Sequence, residues 1–151
     1  MSKINLVKAI VRCIPVNFTR NFVQGAPSKN QSARYLLLQK AQDKYNPLNI
    51  GKWEFVGGIL EEGETSEDAI EREMKEETGL EFKIIKQLPT LKSHESVCDV
   101  YLIETNSMKV KLSKEHSDYQ WFKAEDVKNQ DFVLYADLVL GFFNNHERYL
   151  R

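Results

Sequence analysis

Between Glu61 and Glu81 the chain sets ten acidic residues against two basic ones, Arg72 and Lys75. A fold must solvate that charge, pair it or neutralise it with cations. The segment is also punctuated as a helix. Thr65 or Ser66 supplies an N-cap, Glu67 and Asp68 fall in the first turn where negative charge suits the helix dipole, and Gly79 fits a left-handed C-cap. Spacings of three and four return Glu73, Glu76 and Glu77 to one face, while Ile70 and Met74 mark a neighbouring apolar stripe that a sheet would cover. Like charges so spaced cost about 0.2–0.5 kcal/mol per pair, so this face is either fully solvated or coordinates something. A solvated acidic surface helix is the commoner use of such a pattern. If the face coordinates, carboxylate oxygens without converging His or Cys suit Mg²⁺ or Mn²⁺ rather than zinc. Arg72 sits one turn before Glu76, placed to pair with it or to reach back to Glu64.

The flanking sequence predicts a sheet for this helix to lie on. Residues 6 to 16, rich in Val and Ile, predict a first strand, and residues 35 to 39 a second that is buried on both faces. Residues 53 to 58 form a short aromatic strand running into a double glycine; residues 82 to 91, 96 to 105 and 118 to 123 predict three more. Residues 134 to 149 predict a C-terminal helix with Leu134, Leu138, Gly141 or Phe142 and Asn145 on one face, and Leu140 and Phe143 beside them. Lys109, Lys111 and Lys114 alternate as on a solvated edge strand, or as a landing strip for phosphates. Long polar connections occupy residues 17 to 33 and 43 to 51. This order predicts an α+β fold, an α/β/α sandwich around a mixed sheet. With 151 residues and an apolar fraction of 42%, the chain has the length of a single domain spanning residues 1–151.

A net charge of −1 exerts no global pull toward nucleic acid or anionic lipid, so no nucleic-acid polymer is expected as a partner. Cys13 and Cys98 lie inside apolar runs without metal or redox spacing and read as buried thiols of a reducing compartment. No apolar run approaches the roughly 18 residues of a membrane span, and no signal-type segment opens the sequence. The expectation is a cytoplasmic protein with no membrane partner, and a homodimer is left open.

Gly58-Ile-Leu-Glu-Glu-Gly-Glu64, followed after seven residues by Arg72-Glu73-Met74-Lys-Glu76-Glu77-Thr-Gly79-Leu80, resembles the signature of the Nudix hydrolases. It matches G-x5-E-x7-R-E-U-x-E-E-x-G-U, with U aliphatic, at every specified position. The approach Trp53-Glu54-Phe55-Val56-Gly57-Gly58 is similar to the Trp-Glu-Phe-Pro-Gly-Gly of MutT-like nucleoside triphosphate pyrophosphohydrolases. Val56 stands where that motif has proline, a change of loop stiffness rather than of chemistry. The resemblance implies a Nudix-type α/β/α sandwich whose loop–helix–loop binds Mg²⁺, with Mn²⁺ as an alternative. It implies Glu73, Glu76 and Glu77 as carboxylate ligands, the Gly58 carbonyl as a backbone ligand, and Arg72 with Glu64 as an orienting pair. Residues 115 to 122, from Glu115-His116 to Trp121-Phe122, resemble a family loop and strand in which a Glu before a His adds a metal ligand or a general base. Glu115 is the candidate for that role.

A diphosphate resists attack because its oxygens are negative, so its hydrolysis needs charge neutralisation and positioning. The expected reaction is attack by a metal-activated water on a phosphorus of the diphosphate, with Glu73 or Glu115 accepting the proton. The expected catalytic set is Glu64, Arg72, Glu73, Glu77 and Glu115. The expected substrate is a nucleoside triphosphate or a related nucleoside diphosphate derivative, with ADP-ribose and dinucleoside polyphosphates as rivals. A rival of another class is a non-catalytic module that senses a nucleotide; three intact carboxylates argue against it. Phe18, Arg20 and Phe22 alternate aromatic and basic character and are candidate substrate contacts, although pinning a long loop is the simpler use. His94, His116 and His146 are scattered, and none is assigned as a ligand.

Overall fold

Strand β1 (Ile4–Cys13) alternates so that Val7, Ala9 and Val11 enter one apolar layer while Leu6, Lys8 and Ile10 point to the other. Strand β2 (Arg34–Lys40) is apolar without alternation: Tyr35 and Leu37 join the Ile10 layer and Leu36 and Leu38 the Val7 layer, all of them fully buried. Such a run requires cover on both faces, and both are covered. The computed structural model describes residues 3–14, 33–134 and 136–146.

The strand pairing creates the site. β1 runs parallel to β7 (Ser96–Glu104) from Ile4 opposite Ser96 to Arg12 opposite Glu104. Its other edge is shared. Leu6 to Ala9 pair with β4 (Val56–Ile59), whereas only Arg12 and Cys13 pair with β2. On that same side β2 pairs with β3 (Trp53–Glu54) through Leu38 and Gln39, and its outer edge carries β8 (His116–Lys123). β1 and β2 therefore part from one end, and residues 53–59 fill the gap, crossing at Phe55 from one strand to the other. β5 (Lys83–Gln87) and β6 (Leu91–Lys92) extend the sheet beyond β7. The described strands make one eight-stranded mixed sheet.

Helix α1 (Ser66–Thr78) lays Ala69, Ile70 and Met74 on the Val7 layer, so the stripe read from sequence is the stripe that is buried. On the opposite face α3 (Asp137–His146) packs Val139 and Phe143, with the Phe143 ring edge-on to Tyr35 at 4.9 Å. A one-turn helix, α2 (Ala124–Val127), follows β8. The α/β/α sandwich around a mixed sheet is as expected.

Departures from the sequence reading have local causes. The strand expected over residues 82 to 91 is split into β5 and β6 around Pro89, which has no N–H to offer a ladder. Residues 109 to 114 form no strand; instead Lys111 N–H caps the end of α1 at the Thr78 carbonyl, 2.8 Å away. The C-terminal helix starts at Asp137 rather than 134, because Val133 N–H donates to the Trp53 carbonyl and Leu134 N–H to Asn49 Oδ1. Cys13 and Cys98 are buried free thiols, as expected. Among the described residues no helix is long and apolar enough to cross a membrane. Phe18, Arg20 and Phe22 lie outside the described residues.

The N-cap of α1 is a reciprocal box: Thr65 Oγ1 accepts from Asp68 N–H at 3.1 Å, and Thr65 N–H donates to Asp68 Oδ2 at 3.3 Å. Gly79 closes the helix in the left-handed region, φ 64°. Thr65→Ala is expected to cost about 1 kcal/mol in urea unfolding, because the cap hydroxyl that accepts from the first turn is lost. A variant as stable as the parent would remove the cap from the account of how α1 is held.

Candidate active site

The double glycine after β3 lets backbone come close to α1. Gly57, at φ 146°, lies against β1 so tightly that a Cβ there would stand 2.1 Å from the Val7 carbonyl oxygen. Its N–H donates to Glu77 Oε1 at 2.9 Å. A Cβ on Gly58 would lie 2.5 Å from Glu73 Oε1, so the Glu73 carboxylate occupies the space that glycine leaves. Glu73 and Glu77 are buried, at 8% and 3% exposure, whereas the Glu76 side chain is 57% exposed. One face of α1 thus carries two sheltered carboxylates and one at the rim.

Arg72 ties this face to the preceding loop. Its Nε and Nη2 hold Glu64 through both carboxylate oxygens, at 2.7 and 2.9 Å, and Nη2 also donates to the Ile59 carbonyl at 3.3 Å. Nη1 reaches Glu73 at 3.0 Å and Glu76 at 3.4 Å. Glu64 in turn accepts from Glu61 N–H at 2.8 Å. A planar guanidinium with five donors can satisfy such a fan of acceptors; an ammonium could not hold it at fixed angles. The Arg72 hydrogen bonds keep the Glu64 carboxyl ionised, down to about 2.

Behind Glu77 lies a buried polar network absent from the sequence reading. Lys8 of β1 donates to Glu54 Oε1 and to the Phe55 carbonyl, both at 3.1 Å. Glu54 Oε2 contacts His116 Nε2 at 2.8 Å and the Lys40 ammonium at 3.6 Å. The other imidazole nitrogen, Nδ1, lies 3.5 Å from Glu77 Oε2. Among the described residues it is a buried side-chain nitrogen without a hydrogen-bond partner. Glu54, Glu77 and His116 each bring a potential ligand atom to within 4.8 Å of the others.

Burial and charge separate these carboxylates. Burial alone would raise Glu54, but Lys8, the His116 hydrogen bond and Lys40 outweigh it and hold the carboxyl well below its usual range. Burial raises Glu77 well above the ordinary value, with Glu54 and Glu73 adding to the rise and Lys8 opposing it. Burial raises Glu73 too, against the pull of Arg72. α1 therefore presents sheltered carboxylates whose ionisation is under-compensated, the condition a bound cation would relieve.

Of the residues singled out by sequence, Arg72 joins Glu64, Glu73 and Glu76, while the Gly57–Gly58 backbone lies against Glu73 and Glu77. Glu115 stands apart from this cluster of contacts: it is exposed, and among the described residues its carboxylate has no hydrogen-bond or ion-pair partner. Lys8, Lys40, Glu54 and His116 were missed. A usable signal existed for two of them, since Lys8 interrupts an apolar strand and Glu54 stands between two aromatic residues.

The NUDIX domain profile matches residues 23–139. The nucleoside triphosphatase NudI of Escherichia coli O139:H28 (strain E24377A / ETEC) is 30% identical, over 70% of this chain and 84% of its own length. The chain belongs to the Nudix hydrolase family. Among solved structures of the fold, the MutT protein from Methanosarcina mazei Go1 is similar with a TM-score of 0.64 at 23% identity, covering 99% of this chain and 97% of its own. The NUDIX domain of Shewanella oneidensis NrtR, in complex with ADP ribose, is similar with a TM-score of 0.66 at 18% identity, covering 99% and 90% respectively. The carboxylate face of α1 is made of three residues of the Nudix signature, Glu73, Glu76 and Glu77. That face lies on the helix against which residues 57 and 58 pack.

Proposed function

We propose that this Nudix hydrolase cleaves the diphosphate linkage of a nucleoside triphosphate or a related nucleoside diphosphate derivative, with Mg²⁺ or Mn²⁺ held by Glu73, Glu76, Glu77 and the Gly58 carbonyl. The observation that carries this reading is the gathering of Glu73, Glu76 and Glu77 on one face of α1, two of them buried beside the close-approaching Gly57–Gly58 backbone. The donor set fits a hard divalent cation: all-oxygen, anionic, and short of positive charge. The bound ion would neutralise the diphosphate oxygens and supply a more acidic water.

The protein's own groups do the rest. Arg72, clamped on Glu64, fixes the angle of Glu73 and also reaches Glu76 at the more exposed rim, where that carboxylate would help hold the cation. Glu73 is already committed to Arg72, which favours it as a ligand. Glu115, one residue before the buried His116 and unpaired among the described residues, is the freer carboxylate to accept the proton of the attacking water. The water oxygen bonds to phosphorus and the anhydride P–O bond breaks. A triphosphate then yields a monophosphate and pyrophosphate. The NudI relative is a nucleoside triphosphatase, which supports triphosphates as the first substrates to test.

Turnover against a panel of canonical and oxidised nucleoside triphosphates, ADP-ribose and diadenosine polyphosphates is expected to show Mg²⁺-dependent hydrolysis of a triphosphate, abolished by chelation. Nucleotide binding without hydrolysis of any panel member, in either Mg²⁺ or Mn²⁺, would replace the enzyme reading with that of a sensor.

A further inference from the structure

We propose that His116 is a positioning residue: it stands as a strut between Glu54 and Glu77 and fixes the orientation of the Glu77 carboxylate. The inference rests on the metal reading above and adds to it a residue that no signature position specifies. Three observations carry it. The imidazole is 1% exposed, so it serves neither solvent nor an incoming substrate directly. Its Nε2 is anchored at 2.8 Å on Glu54, itself held by Lys8 at 3.1 Å and Lys40 at 3.6 Å. Its Nδ1 has no hydrogen-bond partner among the described residues and lies 3.5 Å from Glu77 Oε2.

A buried nitrogen without a partner costs about 1–3 kcal/mol, a cost persistent only where the arrangement serves something else. Glu54 accepts from Lys8 at 3.1 Å and lies 3.6 Å from the Lys40 ammonium, which fixes the end of the strut that Nε2 contacts. At its other end Nδ1 lies 3.5 Å from Glu77 Oε2. The other Glu77 oxygen is held by Gly57 N–H at 2.9 Å. Glu77 is thus braced from both sides, by backbone and by imidazole. Carboxylates that bind metals depend on such outer partners, and loss of one costs about 10–100-fold in metal affinity.

The geometry supplies a test that separates the two ends of the strut. In the His116→Asn variant the amide nitrogen falls near the place of Nδ1 and can still reach Glu77; in His116→Gln it falls near that of Nε2 and serves Glu54. His116→Leu fills the space and does neither. The three variants would be compared for Mn²⁺ dissociation constant by electron paramagnetic resonance, for metal-free melting temperature, and for kcat against KM. The expected result is a loss of Mn²⁺ affinity of about tenfold or more in the Leu and Gln variants, with substantial recovery in the Asn variant. Melting temperatures are expected to follow a different order, because the Gln variant keeps the Glu54 bond.

Parental Mn²⁺ affinity in folded Leu or Gln variants would overturn the proposal. So would recovery by Gln but not Asn, which would make His116 a support of Glu54 alone. Strong nitrogen hyperfine coupling to bound Mn²⁺ in the parent would make His116 a ligand and remove the positioning role. A parent that binds no Mn²⁺ would remove the metal reading itself, and this inference with it.

Discussion

Glu77→Gln is expected to lower kcat/KM by about a hundredfold or more while leaving the metal-free protein as stable as the parent. The substitution keeps shape and removes charge. In the parent, Glu77 Oε1 accepts from Gly57 N–H at 2.9 Å and Oε2 faces His116 Nδ1 at 3.5 Å. A Gln amide keeps this shape, its oxygen accepting from Gly57 N–H and its nitrogen facing the ring. Glu77 is 3% exposed and its carboxyl is pushed well up by burial, so a neutral amide removes a desolvation cost rather than adding one. What disappears is anionic charge for a cation. Several kcal/mol of charge stabilisation are at stake there, which corresponds to a factor of about a hundred or more in rate.

The thermodynamic arm of the same experiment is independent of turnover. Mg²⁺ at about 100 times its dissociation constant is expected to stabilise the parent by about 2.7 kcal/mol, and the same concentration is expected to do far less for Glu77→Gln. Melting curves with Mg²⁺ and with chelator measure this directly. A Gln variant that turns over at the parental rate and still gains the full increment from Mg²⁺ would strike Glu77 from the ligand set.

The division between what the sequence disclosed and what it withheld follows interaction range. α1 was legible because its determinants are local: Thr65 and Asp68 are three residues apart, Gly79 ends the helix by its own backbone, and Glu73, Glu76 and Glu77 share a face by helical geometry alone. The Arg72–Glu64 clamp was legible for the same reason, spanning eight residues across one turn of loop. The Lys8–Glu54–His116 network was not, because its members are 46 and 62 residues apart and meet only after β1, β3 and β8 have been assembled. Nor could the strand read over residues 53 to 58 reveal that it changes partners at Phe55, since that depends on where β1 and β2 part. Glu54 is the instructive case: its sequence neighbours mark it as out of place in an apolar strand, but only the fold says which cations it meets.

Two adjacent glycines should fail in different ways. Gly57→Ala places a Cβ 2.1 Å from the Val7 carbonyl oxygen and 2.8 Å from Lys8 Cα, both backbone atoms of a paired strand that cannot swing aside, and demands φ 146° of an L-residue. Strain of that kind and overpacking each cost about 1–3 kcal/mol, so a loss of about 3 kcal/mol in metal-free urea unfolding is expected. Gly58→Ala is different because its Cβ would meet Glu73 Oε1 at 2.5 Å, the far end of a flexible side chain. The carboxylate moves, the strand stays, and the stability loss is expected to stay within about 1 kcal/mol. The displaced Glu73 leaves its place beside Arg72, and Mn²⁺ affinity is expected to fall about tenfold or more. Measured on the two variants in parallel, metal-free unfolding free energy should therefore separate them, with the larger loss in Gly57→Ala. Gly58→Ala with parental metal affinity would mean that Glu73 need not lie against this backbone to do its work. A Gly57→Ala protein as stable as the parent would mean that β4 can move away from β1, and with it the N–H that holds Glu77.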